Sequence, residues 1–263
     1  MLKVRDLRIC FHGRREAEET VHGISFDVAP AEIVGLVGES GSGKTVTALS
    51  IAGLLRRRAA MVEGQILFCG QDLRTLGTQQ MRKIQGKRIG MVFQEPMTSL
   101  NPLMKVGKQV EEVLRVHTHQ TPRERRESAL DALAAVELSD PERVYGQYPH
   151  ELSGGMRQRA MLAAAILLGP ELLICDEPTT ALDVTTQAQI LALLQKINRD
   201  LAVGVLFISH DLRLVRRFCQ RAIVMREGHI VEQGEVEALF ERPRADYTKQ
   251  LLQSLPGRGR KRE

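Results

Sequence analysis

The sequence predicts an α/β fold. A mostly parallel sheet carries helices on its faces, is fronted by antiparallel strands, and is interrupted by an all-helical insert. Three observations predict it. Short apolar runs, ELLICDE, VGVLFISH and RAIVMREGHIVEQG, recur between helical stretches, and such alternation builds a parallel sheet. The opening segments LKVRDLRICF and VHGISFDVA alternate apolar with polar residues, as half-buried antiparallel strands do. From about residue 95 to 165 the strand signal lapses and apolar residues recur at helical spacing.

Taken in order, the two opening segments are strands joined by a polar link. EIVGLV is a short apolar strand suited to the middle of a sheet. KTVTALSIAGLL then reads as a helix, GQILFCGQDL as a strand and RIGMVFQ as another. Within the insert, KVGKQVEEVLRVH and PRERRESALDALAAVEL have charged outer faces and Leu, Ala and Val inner ones. TTQAQILALLQKINRD and DLRLVRRFC are the helices between the later strands. Near the end, Tyr247 and Leu251 stand four apart and are expected to share one helix face.

Composition excludes several classes. At 43% hydrophobic and 26% charged, 263 residues can bury a core. No apolar run reaches the length of a membrane span. The opening MLKVRDLRICFHGRRE lacks the apolar centre of a signal peptide, so a cytoplasmic chain is expected. Cys10, Cys69, Cys175 and Cys219 match no metal or redox spacing and read as small buried residues. With no Trp and 4% aromatics, a base-stacking surface is disfavoured, and no nucleic-acid partner is expected. The tail GRGRKRE has two readings, an anionic surface ligand or a solvated end. His117 and His119, and Arg123, Arg125 and Arg126, read as solvated helix or loop positions.

GESGSGKT, at 38 to 45, directly follows the strand EIVGLV and opens a helix. It fits the phosphate-loop pattern G-x-x-x-x-G-K-[ST], and its context is the one that pattern requires. Glycines let successive backbone N–H groups converge as an anion nest, and the helix start adds its partial positive charge. Gly38, Glu39, Ser40, Gly41, Ser42 and Gly43 form the loop, Lys44 supplies a charge for the β- and γ-phosphates, and Thr45 offers a hydroxyl to Mg²⁺. LLICDEP ends an apolar strand on two acids. Asp176 suits Mg²⁺ held through water, and Glu177 suits the orientation and deprotonation of an attacking water. LSGGMRQR, from 152 to 159, places a serine and two glycines at the start of a nearly all-apolar helix, a second anion-seeking helix end.

This ordered set resembles the ATP-binding subunit of ABC transporters over nearly the whole chain. The resemblance implies a P-loop NTPase (RecA-like) core with an antiparallel β subdomain and an inserted α-helical subdomain. It implies ATP and Mg²⁺ as ligands. LSGGM stands for the family's LSGGQ signature, with Met156 at the usual glutamine. Ser153, Gly154 and Gly155 are thereby expected to bind ATP held by a partner in a head-to-tail dimer. Gln94 matches the residue contacting Mg²⁺ or the attacking water, Asp183 the loop acting across the dimer, and His210 the switch histidine on the γ-phosphate. Phe11 stands where the family stacks an aromatic on adenine; an ordinary core position is its other reading. Ala31 replaces a common glycine, with a local turn difference expected.

The implied layout is one domain over 1–256. Residues 1–94 and 166–235 form the core with its β subdomain, 95–165 the helical subdomain, 236–256 a C-terminal docking extension and 257–263 a basic tail. FQEPMTSLNPLMKVG and ERPRADYTKQLLQSLP resemble ATPases of dipeptide, oligopeptide and nickel importers, with peptide ahead of nickel. Such importers combine a second, different ATPase subunit, two transmembrane permease subunits and an extracytoplasmic solute-binding protein. The chain would sit on the cytoplasmic face of the cell membrane, held through the permeases. A groove between the Gln94 segment and the helical insert would receive a short permease helix. No iron–sulfur centre is expected, because no cysteine follows Tyr247. The competing readings are an exporter ATPase and a soluble ABC ATPase acting on DNA or ribosomes. Against the latter, neither heptads nor a CxxC pair lies between Lys44 and Ser153.

Overall fold

The computed structural model describes residues 1–12, 17–55, 60–94, 99–180 and 182–255. They belong to two compact units, Met1–Gly77 with Gly204–Glu263, and Thr78–Val203.

Strands β1 (Leu2–His12) and β2 (Ala17–Val28) pair antiparallel, with Leu2 opposite Val28 and Phe11 opposite Glu18. In β1 the buried residues are Leu2, Val4, Leu7 and Ile9, while Lys3, Arg5 and Arg8 are exposed. The buried phase slips from even to odd numbers around Asp6, whose φ is +43° and where the register shifts. One extra residue in the strand restores burial on both sides of the slip. Strand β3 (Ile33–Val37) is buried throughout. Ala31, just before it, adopts φ +56°. The turn therefore keeps a left-handed conformation that glycine would take without strain.

Helix α1 (Lys44–Ile51) ends short of the predicted run. Gly53 and Leu54 turn their N–H groups back onto the carbonyls of Ser50 and Leu49 and close the last turn. The predicted strand GQILFCGQDL is the end of β4 (Ala60–Phe68), a turn, and the short β5 (Gln71–Asp72). Cys69 sits at that hairpin turn with φ +49° and is exposed, against the expectation of burial; Cys175 and Cys219 are buried and Cys10 is half-buried. The order of this first sheet is β2-β1-β4-β5.

In the second unit, α2 (Thr78–Arg82) precedes β6 (Ile89–Val92). Among the described residues the α-helices α3 (Val106–His117), α4 (Pro122–Ala135), α5 (Pro141–Gly146) and α6 (Gly154–Ile166) follow. No strand interrupts the described residues from 99 to 165. Leu114, Val110, Leu133 and Leu162 are buried among these helices. Tyr145 on α5 donates its hydroxyl to the buried Glu111 on α3, which also meets Lys108 at 3.2 Å. A buried carboxylate thus has charge-assisted partners that tie two helices together. His119 is exposed and His117 half-buried; Arg123 pairs with Glu127 on the surface, while Arg125 is half-buried with a bond to the Gln120 carbonyl. Strand β7 (Leu172–Asp176) pairs in parallel with β6, and α7 (Val184–Leu201) follows.

The chain returns to the first unit with β8 (Gly204–Ser209), α8 (Leu212–Phe218), β9 (Arg221–Arg226) and β10 (His229–Glu235). Within this unit β3 lies between β8 and β9, parallel to both, and β10 closes as a hairpin on β9. The run RAIVMREGHIVEQG is thus two strands. Glu227 and Gly228, both at positive φ, make the tight turn. Helices α9 (Val236–Glu241) and α10 (Asp246–Gln253) are the last elements of the described residues. On α10 the buried residues are Tyr247, Thr248 and Leu252, with Leu251 half-buried. The inward face is centred one position beyond the expected pair. No helix among the described residues is long and apolar enough to cross a membrane.

Helix α4 opens on a reciprocal cap. Thr121 accepts from the Glu124 N–H at 3.3 Å, and the Glu124 carboxylate accepts from the Thr121 N–H at 2.7 Å. Thr121→Ala is expected to lower stability by about 1 kcal/mol, read from the denaturation midpoint of the full chain.

Candidate functional site

The loop after β3 owes its shape to what lies beneath it. Gly38 stands where an added Cβ would be 2.1 Å from the Met225 carbonyl of β9 and 2.8 Å from Ser42 Oγ. No side chain fits there, so the backbone of the loop rests directly on the neighbouring strand. Ser42 N–H donates to the Glu39 carbonyl at 3.2 Å, and Gly228 N–H of the β9–β10 turn donates to the Ser42 carbonyl at 3.2 Å. Gly43, at φ +96°, is the residue from which α1 starts, and no side chain caps that helix end. Its first-turn N–H groups and the positive end of its dipole are directed to the loop.

Lys44 is only 5% exposed. Its ammonium donates to the carbonyls of Gly38 at 2.8 Å and Glu39 at 2.7 Å, and to Ser42 Oγ at 3.4 Å. A buried ammonium is tolerated because the loop curls acceptors around it. Thr45 is exposed in the first turn of α1, and Glu39, Ser40 and Gly41 are exposed on the loop. Glu39 N–H donates to the hydroxyl of Tyr247, 208 residues further on, at 3.3 Å. No local sequence pattern announces that contact. His210 is exposed directly after β8. Phe11 is half-buried on β1, opposite Glu18 and Ala60.

The second unit holds the other candidates. Asp176 closes β7 at 2% exposure. Cys175 beside it is fully buried, and burial first, then the Asp176 charge, push its thiol far above the ordinary value. It is a neutral packing residue. Glu177 takes φ +45° immediately after the strand. A left-handed backbone costs a side-chain-bearing residue about 1–2 kcal/mol; here it turns the chain sharply out of β7. Gln94 Nε2 donates to Glu177 Oε2 at 3.0 Å, and Thr180 Oγ1 donates to the same oxygen at 2.9 Å. The structure therefore joins two of the predicted residues. It adds Thr180, whose only sequence signal is a hydroxyl three positions after the acid.

Ser153 begins α6 and accepts from the Met156 N–H at 3.3 Å. An added Cβ on Gly155 would lie 2.6 Å from Thr186 Cγ2, and one on Gly154 would lie 3.3 Å from Leu182 Cδ2. Asp183 caps α7 by accepting from the Thr186 N–H at 3.0 Å and from its hydroxyl at 2.6 Å. The Thr186 hydroxyl, then its backbone N–H, hold the Asp183 carboxyl below its usual range. The signature stretch and the Asp183 turn thus touch through Thr186, a residue the sequence did not single out. Residues 95–98 of the stretch after Gln94, and the basic tail, lie outside the described residues.

Chemically, the first unit offers a cationic, amide-rich loop for a polyanion. The second offers an oriented carboxylate next to a buried one, and a separate serine–glycine helix end. Among the described residues no group of three or more His, Cys, Asp and Glu side chains is arranged to hold a metal ion.

The sequence and the fold both have counterparts in known proteins. The chain is 50% identical over 264 residues to the Sinorhizobium fredii protein named "Probable peptide ABC transporter ATP-binding protein y4tR", covering 100% of this chain and 79% of that one. It is also 50% identical over 257 residues to "Peptidoglycan transport ATP-binding protein YejF" of Agrobacterium fabrum, covering 97% of this chain and 47% of that one. The fold is similar to the dimeric, ADP- and Pi-bound ATP-binding cassette MJ0796, with TM-score 0.80, 29% identity, and coverage of 90% of this chain and 99% of that one. It is similar to cbiO1 of Clostridium perfringens, part of the ABC transporter complex cbiONQ, with TM-score 0.77, 26% identity, and coverage of 97% and 95%. The family model described as ABC transporter matches residues 21–180, a span running from β2 through the glycine loop and the serine–glycine helix to the acids at the end of β7. With that match, the chain belongs to the ABC transporter family, as one of its ATP-binding subunits.

Proposed function

We propose that this ATPase subunit powers the import of di- or oligopeptides. Two copies of the fold, this chain and a homologous second subunit, would close head to tail around ATP and move attached permease subunits at the membrane. The observation that carries the reading is the buried Lys44 ammonium inside a loop that leads into the first-turn N–H groups of α1, a helix end no side chain caps. A triphosphate offers that ammonium and those N–H groups stronger acceptors than carbonyl oxygens, since charge-assisted bonds exceed neutral ones. The peptide assignment is supported by the resemblance of two sequence stretches and by the name of the Sinorhizobium relative.

In this reading Gly38 to Thr45 bind the phosphates and Phe11 stacks on adenine. Ser153, Gly154 and Gly155 meet the ATP held by the partner subunit, with Asp183 acting across the same junction. Glu177 accepts the proton of the attacking water. Gln94 and Thr180 fix the carboxylate, so its lone pairs are oriented before the water arrives. His210 contacts the γ-phosphate. Thr45, Gln94 and Asp176 offer a hydroxyl, an amide and a carboxylate, the oxygen set Mg²⁺ takes. One or two carboxylates plus phosphates suffice for that ion, so a dedicated protein cage is not required. Bound there, Mg²⁺ would supply neutralisation of phosphate charge. Closure driven by ATP is a population shift, because only the closed arrangement satisfies the phosphates from both sides.

The test of the function is to purify the chain with its membrane subunits and binding protein, reconstitute them, and measure ATPase activity with defined solutes. Di- or oligopeptides are expected to stimulate turnover; stimulation by nickel and not by peptides overturns the peptide assignment. Lys44→Ala is expected to weaken ATP binding by about 10- to 100-fold, the loss of a charge-assisted contact, measured by direct titration of the full chain. Glu177→Gln is expected to retain ATP binding while turnover falls about 10²- to 10⁴-fold. An ATP-dependent dimer should accumulate on sizing columns, and undiminished hydrolysis removes Glu177 from the proton-accepting role.

A further inference from the structure

The C-terminal arm reaches the phosphate loop. Glu232 on β10 accepts from the N–H groups of Arg244 and Ala245, at 2.9 and 3.0 Å, just where α10 begins. Despite its burial, which raises the pKa, the N–H groups of Arg244 and Ala245 help hold this carboxyl below its ordinary range. The anchored helix carries Tyr247 inward to 7% exposure. The guanidinium of Arg226 lies 5.0 Å from the centre of the Tyr247 ring. The Tyr247 hydroxyl then accepts the N–H of Glu39 at 3.3 Å. Burial raises the Tyr247 phenol above its ordinary value, so the group at the loop is a neutral hydroxyl.

Glu39 is held from both ends. Its N–H goes to Tyr247 and its carbonyl receives the Lys44 ammonium at 2.7 Å. The peptide plane before Glu39 is thus held by Tyr247 at its N–H and by Lys44 at the Gly38 carbonyl, and the plane after it by Lys44 and the Ser42 N–H. Met225 under Gly38 and Gly228 against Ser42 brace the loop from β9 and its turn, but neither acts on Glu39.

We propose that Tyr247 is a positioning residue for ATP binding: by accepting the Glu39 N–H it presets the phosphate loop, and it makes nucleotide affinity depend on the docking of the C-terminal helix. This rests on the reading of residues 38 to 45 as the ATP site. A preset loop binds without first losing conformational freedom, so the contact acts on affinity more than on the chemical step.

The test uses the full chain and Tyr247→Phe, which keeps the ring beside Arg226 and removes the hydroxyl. The expected result is ATP affinity weaker by about five-fold, the worth of one hydrogen bond. The ATP KM should rise by a similar factor with kcat held within about two-fold. Amide exchange in the segment from 33 to 43 should quicken while the thermal midpoint stays at the wild-type value. A purely structural role for Tyr247 would lower the midpoint and leave the affinity of the folded fraction unchanged. Tyr247→Phe with wild-type affinity and exchange, beside a Lys44→Ala variant that has lost binding, overturns the inference and leaves the ATP site standing. Lys44→Ala with unchanged affinity overturns the ATP site, and the inference with it.

Discussion

A buried positive charge organises the loop that follows β3. Lys44 is almost wholly withdrawn from water, and an ammonium in that position must be surrounded by oxygen. The chain supplies it from its own backbone, which requires a loop tight enough to turn the Gly38 and Glu39 carbonyls onto one atom. That tightness requires Gly38 to lie against the Met225 carbonyl, and so requires β9 beside β3. The parallel pairing of β3 with β9 and the glycine at 38 are parts of one solution. Because carbonyls are weaker acceptors than phosphate oxygens, the loop is stable by itself and yet better satisfied by a polyanion.

The acids at the end of β7 are placed by a different principle. Asp176 is kept in place by a fully buried strand, whereas Glu177 leaves that strand through a left-handed turn. Two adjacent carboxylates are thereby sent into different surroundings, one almost wholly buried and one part-exposed and steered by an amide and a hydroxyl. Separation of environment is what allows neighbouring acids to serve different ends. The strain at Glu177 is local, and the Thr180 N–H returning to its carbonyl at 3.2 Å helps hold the turn.

Much of this was legible in the sequence because the relevant signals are local. The strand–loop–helix around Lys44, the acids after LLIC and the serine before two glycines are each encoded within about ten residues, and periodicity alone separates the helical insert from the strands. What escaped notice was set by distance or by phase. Tyr247 reads as a packing residue on an amphipathic helix, and its hydroxyl finds Glu39 only when the chain folds back on itself. The bulge at Asp6 preserves burial by breaking the alternation that reveals strands. Helix α1 stops early because backbone N–H groups close its end, although the apolar pattern continues. Cys69 is exposed because the turn, not its own hydrophobicity, fixes its position.

The contact between Gly155 and Thr186 complicates the interpretation of any loss-of-function variant at that glycine. A methyl group there would have to push aside the Thr186 side chain, through which Asp183 caps α7. An alanine at 155 would disturb two stretches of chain at once, even in the absence of nucleotide. Inactivity alone could not distinguish a lost phosphate ligand from a displaced neighbour. Trimming Thr186 to a smaller residue alongside it would relieve the collision and separate the two causes.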